Sequence, residues 1–224
     1  FIAVICVTAV ITLSLPDTDT FLIMVMAGVA MFVTAGAKVK HLLLLGLAGI
    51  ILLATVAFMR PYIMDRITTF MHPDEDSLGS GYQINQSLIA IGSGGWFGRG
   101  YGQSIQKFEY LPEPIGDSIF AVYAEEFGFV GSLLLVLILA FFTFRGFKIA
   151  TQSSDLFRML LVVGFMTLIV TQAFLNIAAM AGIAPLSGLP LPFISHGGTA
   201  LLTTLAALGI VLNVSKYQNH NVRT

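Results

Sequence analysis

The chain has 224 residues, of which 56% are hydrophobic and only 10% charged, and its mean hydropathy is +0.88. A soluble domain carries about 25% charge, so these charges are too few to cover a globule of 24.1 kDa. A net charge of −1 lacks the basic footprint of a nucleic-acid binder, and the single cysteine, Cys6, rules out a disulfide framework or a cysteine-built metal site.

The remaining class is an all-α polytopic membrane protein. A span needs about 20 mostly apolar residues, and six runs qualify: 1–15, 20–37, 41–59, 127–144, 159–183 and 197–214. The first is short. It has no starting Met and no basic leader, so it reads as a helix entered part-way along rather than a signal peptide. Lipid offers the backbone no hydrogen-bond partners, which predicts helices. The ten-residue polarity alternation of a barrel is not visible. The stretch 159–215 contains no Asp, Glu, Lys or Arg and is expected to hold two spans, parted by Pro185, Pro190 and Pro192.

Orientation follows from basic residues in short loops. Lys38, Lys40, Arg145, Lys148, Arg158, Lys216 and Arg223 fall on one side, which is expected to be cytoplasmic. The long stretch 60–126, within a single membrane domain covering 1–224, is then extracytoplasmic. Its length demands a function. A turn-rich piece runs from His72 to Gly79. The moderately apolar stretch 82–91, with Gln86 and Ser87 interspersed, suggests a re-entrant or interfacial helix. Six glycines follow between Gly92 and Gly102, among them Gly94 and Gly95. They permit close backbone approach, and exposed N–H groups there could meet phosphate oxygens; a tightly folded loop on the membrane surface is the simpler alternative.

Asp117 follows the turn Pro112-Glu113-Pro114-Ile115-Gly116 and precedes a helical run. It is either an N-cap or a carboxylate at the membrane face acting as general base. Gln172 and Asn176 share one helix face, for interhelical hydrogen bonds or a substrate path. Glu125 and Glu126 open a span and are expected at the interface, or facing a cavity. His196 stands without a partner cluster, so no protein-built metal site is expected. Arg60 and Arg66 suit lipid headgroups or a diphosphate.

Longer motifs carry a resemblance. The run Gly81-Tyr82-Gln83, Gln86-Ser87, Ala90-Ile91-Gly92-Ser93-Gly94-Gly95, Phe97-Gly98, Gly100 and Gly102-Gln103-Ser104 resembles the large extracytoplasmic loop of the SEDS (shape, elongation, division and sporulation) family. Tyr110-Leu111-Pro112-Glu113, Asp117, Glu125-Glu126-Phe127-Gly128, Gly188 to Gly198 and Leu212 to Tyr217 continue it, in the manner of division-type members. The resemblance implies a ten-helix protein of the bacterial cytoplasmic membrane, of which this chain keeps the last six helices. It implies a peptidoglycan glycosyltransferase polymerising lipid II at the outer face, working with a class B penicillin-binding protein and other divisome proteins among membrane lipids. It also implies Asp117 as the catalytic carboxylate. Arg66, Gln86, Ser87, Gly94, Gly95, Lys107, Glu113, Ser195, Gly197 and Gly198 are the expected substrate contacts. No cofactor is expected from the protein itself, and any divalent-ion requirement is open. A lipid II transporter and a non-catalytic scaffold that activates the penicillin-binding protein are the alternatives.

Overall fold

The computed structural model describes residues 2–14, 17–59, 61–73 and 79–217. Arg60, Arg223 and the middle of the turn-rich piece, 74–78, lie outside them. The described residues form nine helices: α1 (Ile2–Ser14), α2 (Thr18–Thr34), α3 (Val39–Met59), α4 (Pro61–Met71), α5 (Ser80–Ser93), α6 (Gln106–Glu109), α7 (Ile119–Thr151), α8 (Leu156–Met180) and α9 (Gly198–Ser215). The chain is all-helical where described, as its apolar runs predict. Among the described residues α7, α8 and α9 are long and apolar enough to cross a membrane. α1 and α2 are shorter, at 13 and 17 residues.

The helices fall into two compact units. The first contains Phe1–Leu44, Ile138–Gln172 and Gly198–Thr224. Its core is Ala150, Val162, Val163, Met166, Val211 and Val214. Without a hydrophobic driving force between helices in lipid, close packing relies on small residues. Gly146 therefore faces Met166, and Gly164 faces Met31. Aspartates begin two of these helices: Asp17 accepts from Thr20 N at 3.0 Å and Asp155 from Arg158 N at 2.9 Å.

The second unit contains Leu45–Leu137 and Ala173–Gly197. It includes nearly all of the long stretch between spans, which is folded into α4, α5, α6 and the start of α7. α4 packs on α5. Ala90, Leu111, Ala121 and Val122 form a small core with Ile91 against it. The helix predicted at 82–91 is α5. The span predicted at 127–144 is the middle of a longer helix, α7, whose regular path breaks at Gly128 (φ 68°, ψ −166°).

That break is closed by the glycine-rich loop. A broken helix leaves carbonyls unsatisfied on one side and N–H groups on the other. Arg99 N donates to Glu125 O and Gly100 N to Glu126 O, each at 3.0 Å. Phe129 N donates to Gly95 O at 2.8 Å and Val130 N to Trp96 O at 3.1 Å. Approach this close requires residues without a Cβ. One on Gly94 would overlap the Ala124 carbonyl, and one on Gly98 the Glu126 carbonyl. Trp96 then meets Phe129 edge-on, ring centroids 5.3 Å apart.

Candidate functional site at Asp117

The turn before α7 is built around Glu113. Its φ of 46° is left-handed, and its carbonyl accepts both Gly116 N (3.0 Å) and Ser118 N (3.2 Å). The carbonyl of Ser118 accepts the first bonds of α7, from Ala121 N and Val122 N. Ser118 thus occupies the cap position, and Asp117 lies one residue outside it. The Ser118 hydroxyl donates to Pro112 O at 2.8 Å and accepts from Gln83 Nε2 of α5 at 2.9 Å.

The end of α8 and the proline-rich segment after it grip the same turn. Three consecutive carbonyls are taken. Ile115 O accepts His196 N at 2.8 Å, Gly116 O the Ser195 hydroxyl at 2.7 Å, and Asp117 O the amide Nδ2 of Asn176 at 2.7 Å. Ser195 Oγ also accepts from Leu191 N (2.7 Å), and Asn176 Nδ2 also donates to Leu189 O (2.7 Å). Phe193 and Glu113 are the two non-glycine residues with positive φ among the described residues, one in each gripped segment. Such backbone costs on the order of 1–3 kcal/mol and persists only where its surroundings over-determine it. The Asp117 side chain is half-buried. A Cβ placed on Gly188 would come 3.6 Å from its Oδ2. The result is a carboxylate on a rigid turn, partly open to its surroundings, which is the geometry a proton acceptor requires.

Two glutamates further along α7 are paired. Glu125, fully buried, accepts from Ser104 Oγ (2.6 Å), Ile105 N (3.1 Å) and Gln106 N (3.3 Å), and its Oε1 lies 3.4 Å from Arg99 Nε. Lys107 Nζ donates to Glu126 Oε1 at 2.6 Å.

The residues singled out by the sequence are distributed as follows. Glu113 and Ser195 belong to the turn and the grip around Asp117, and Gly197 follows directly on that segment. Ser87 is buried on α5 and donates to Met180 Sδ at 3.4 Å, while Gln86 beside it is half-buried. Gly94 and Gly95 pack on the α7 break. The N–H groups of Arg99 and Gly100 are committed to α7 carbonyls and that of Gly98 to Gly94 O. Those three are therefore not available to cradle a phosphate, as the glycine run alone had suggested. Arg66 lies half-buried on α4, and Gly198 opens α9 in the other unit. Among the described residues no three of His, Cys, Asp and Glu come together to hold a metal ion. Gly188 opened one of the runs that carry the family resemblance but was not among the expected substrate contacts. Asn176 was legible as a polar group between helices, but its partner, fifty-nine residues away along the chain, was not.

Comparison with known proteins places this chain in a family. The family profile described as "Cell cycle protein", which covers FtsW, RodA and SpoVE, matches residues 1–220. Stage V sporulation protein E of Bacillus subtilis is 44% identical over 205 residues, 92% of this chain and 56% of that protein. The probable peptidoglycan glycosyltransferase FtsW of Thioalkalivibrio sulfidiphilus is 42% identical over 211 residues, 93% of this chain and 53% of that protein. A solved structure described as "Structural coordination of polymerization and crosslinking by a peptidoglycan synthase complex" matches with a TM-score of 0.75 at 30% identity, covering 96% of this chain and 60% of that one. The chain spans about half the length of the curated relatives it matches. It is a membrane protein of the FtsW/RodA/SpoVE family.

Proposed function

We propose that this chain carries the catalytic carboxylate of a peptidoglycan glycosyltransferase that polymerises lipid II, with Asp117 as general base and the 60–126 stretch outside the cytoplasm. The reaction needs a sugar 4-hydroxyl to attack an anomeric carbon that bears a lipid-linked diphosphate. That hydroxyl is a poor nucleophile, and a positioned base accelerates such a step by roughly 10²–10⁴-fold. The observation that carries this reading is the grip on Asp117. Three successive carbonyls are tied down, while the carboxylate itself stays half-exposed beside Gly188. The names borne by relatives at about 40% identity point the same way.

The departing diphosphate needs positive charge or N–H donors. Arg66 offers a forked guanidinium, and Lys107 keeps ammonium protons beyond the one given to Glu126. The lipid tail explains a membrane-embedded enzyme, since it holds the reacting diphosphate at headgroup level. The structural match to a synthase complex supports a class B penicillin-binding protein as partner. The transporter alternative has Gln172 and Asn176 line a path; of the two, Asn176 is completely buried and bonded to two carbonyls.

Purified full-length protein in detergent, supplied with fluorescent lipid II, distinguishes the readings. With no second compartment present, strand synthesis is expected; a protein that only relocates lipid II between leaflets of vesicles would contradict the proposal.

A further inference from the structure

We infer that Asn176 is a positioning residue for the Asp117 carboxylate, an inference that rests on the catalytic reading above. A primary amide has two N–H donors and one oxygen acceptor. Both groups that meet Asn176 are carbonyls, Asp117 O and Leu189 O, each at 2.7 Å. Only the nitrogen can face them, so the amide orientation is fixed by its neighbours. The side chain is 0% exposed, and its Oδ1 has no hydrogen-bond partner among the described residues. Here both donors are committed to one task, joining the backbone of the proposed base to the segment that carries Gly188 and Ser195.

No other side chain of this size does the same. Asp would set a carboxylate against two carbonyls, Leu offers no donor, and Ser donates once. Loss of the link releases the Asp117 carbonyl, the last of the three pinned ones and the only one on the carboxylate's own residue. Misplacement of a reacting group by about 1 Å costs around 100-fold in rate.

The experiment uses the full-length protein in membranes, with Asn176→Leu and Asn176→Ser compared with the unchanged protein. Asn176→Leu is expected to lower kcat for strand synthesis about 100-fold with KM for lipid II within about twofold. Asn176→Ser, keeping one donor, is expected to fall between. Should Asn176→Leu fail to accumulate, Asn176→Ser carries the same comparison. The second readout does not depend on activity. The thiol introduced by Asp117→Cys is alkylated with a water-soluble maleimide, with and without Asn176→Ser, and a several-fold change in rate is expected. A normal kcat together with an unchanged alkylation rate overturns the inference, as does a loss of activity that lies wholly in KM. A changed alkylation rate alongside an active Asp117→Asn protein would retain the positioning and refute the catalytic reading.

Discussion

Gly128 lies so close to Gly98 that a Cβ on Gly128 would overlap the Gly98 nitrogen. The contact joins the broken helix to the loop that closes it and calls for glycine at 128, whereas Gly98 is required by its own approach to the Glu126 carbonyl. Gly128 also has φ 68° and ψ −166°, a region that residues with a Cβ scarcely enter. Gly128→Ala is therefore expected to destabilise the protein by on the order of 3 kcal/mol, from strain and overlap together. Gly92 supplies the contrast, because a Cβ there meets nothing within 4 Å. Thermal unfolding of the full-length protein in detergent should show a lowered Tm for Gly128→Ala and an unchanged or raised one for Gly92→Ala.

Glu125 holds the 104–106 segment through three hydrogen bonds, as well as Arg99, from a fully buried position. Removing one member of such a buried set leaves donors and charge without a counterpart. Glu125→Ala is expected to cost roughly 3–5 kcal/mol. The Arg99 side chain is 38% exposed, so water compensates for the loss, and Arg99→Ala should cost less than about 1 kcal/mol. Equal losses for the two variants in thermal unfolding would show that the carboxylate is not the organising group.

The spans were legible because lipid leaves a run such as 159–183 no alternative to a helix, and α8 (Leu156–Met180) departs from that reading only at its ends. The α7 break was not legible. Phe127-Gly128-Phe129 reads as an isolated glycine within a helix, and only the loop thirty residues upstream supplies the hydrogen bonds that make a break affordable. The same distance hid the purpose of the glycine run. Its glycines looked suited to a phosphate, whereas Gly94 and Gly98 are required by their approach to Ala124 and Glu126. The pairing of Lys107 with Glu126 was equally hidden, because nothing local announces a partner nineteen residues away. Asp117 stood out by its turn, but whether it caps α7 depended on a one-residue difference that only the start of α7 at Ile119 resolves.

Gly188 has the Asp117 carboxylate as the nearest group to a would-be Cβ, at 3.6 Å, an ordinary contact distance. Gly188→Ala should fold with an unchanged Tm while placing a methyl beside the Asp117 carboxylate. A roughly tenfold fall in strand synthesis is expected, the scale of a single misfitting methyl or methylene in a pocket. Steady-state kinetics on the full-length protein check this. Unchanged kinetics for both Gly188→Ala and the bulkier Gly188→Val would place the substrate elsewhere.

The most direct test exchanges one atom. Asp117→Asn preserves the shape of the side chain and every backbone bond of the turn, but it removes the ability to take a proton. The full-length Asp117→Asn protein should show the Tm of the unchanged protein and lose about 10²–10⁴-fold in kcat for lipid II polymerisation. An Asp117→Asn protein that polymerises lipid II at the rate of the unchanged protein would contradict the assignment of this carboxylate as the base.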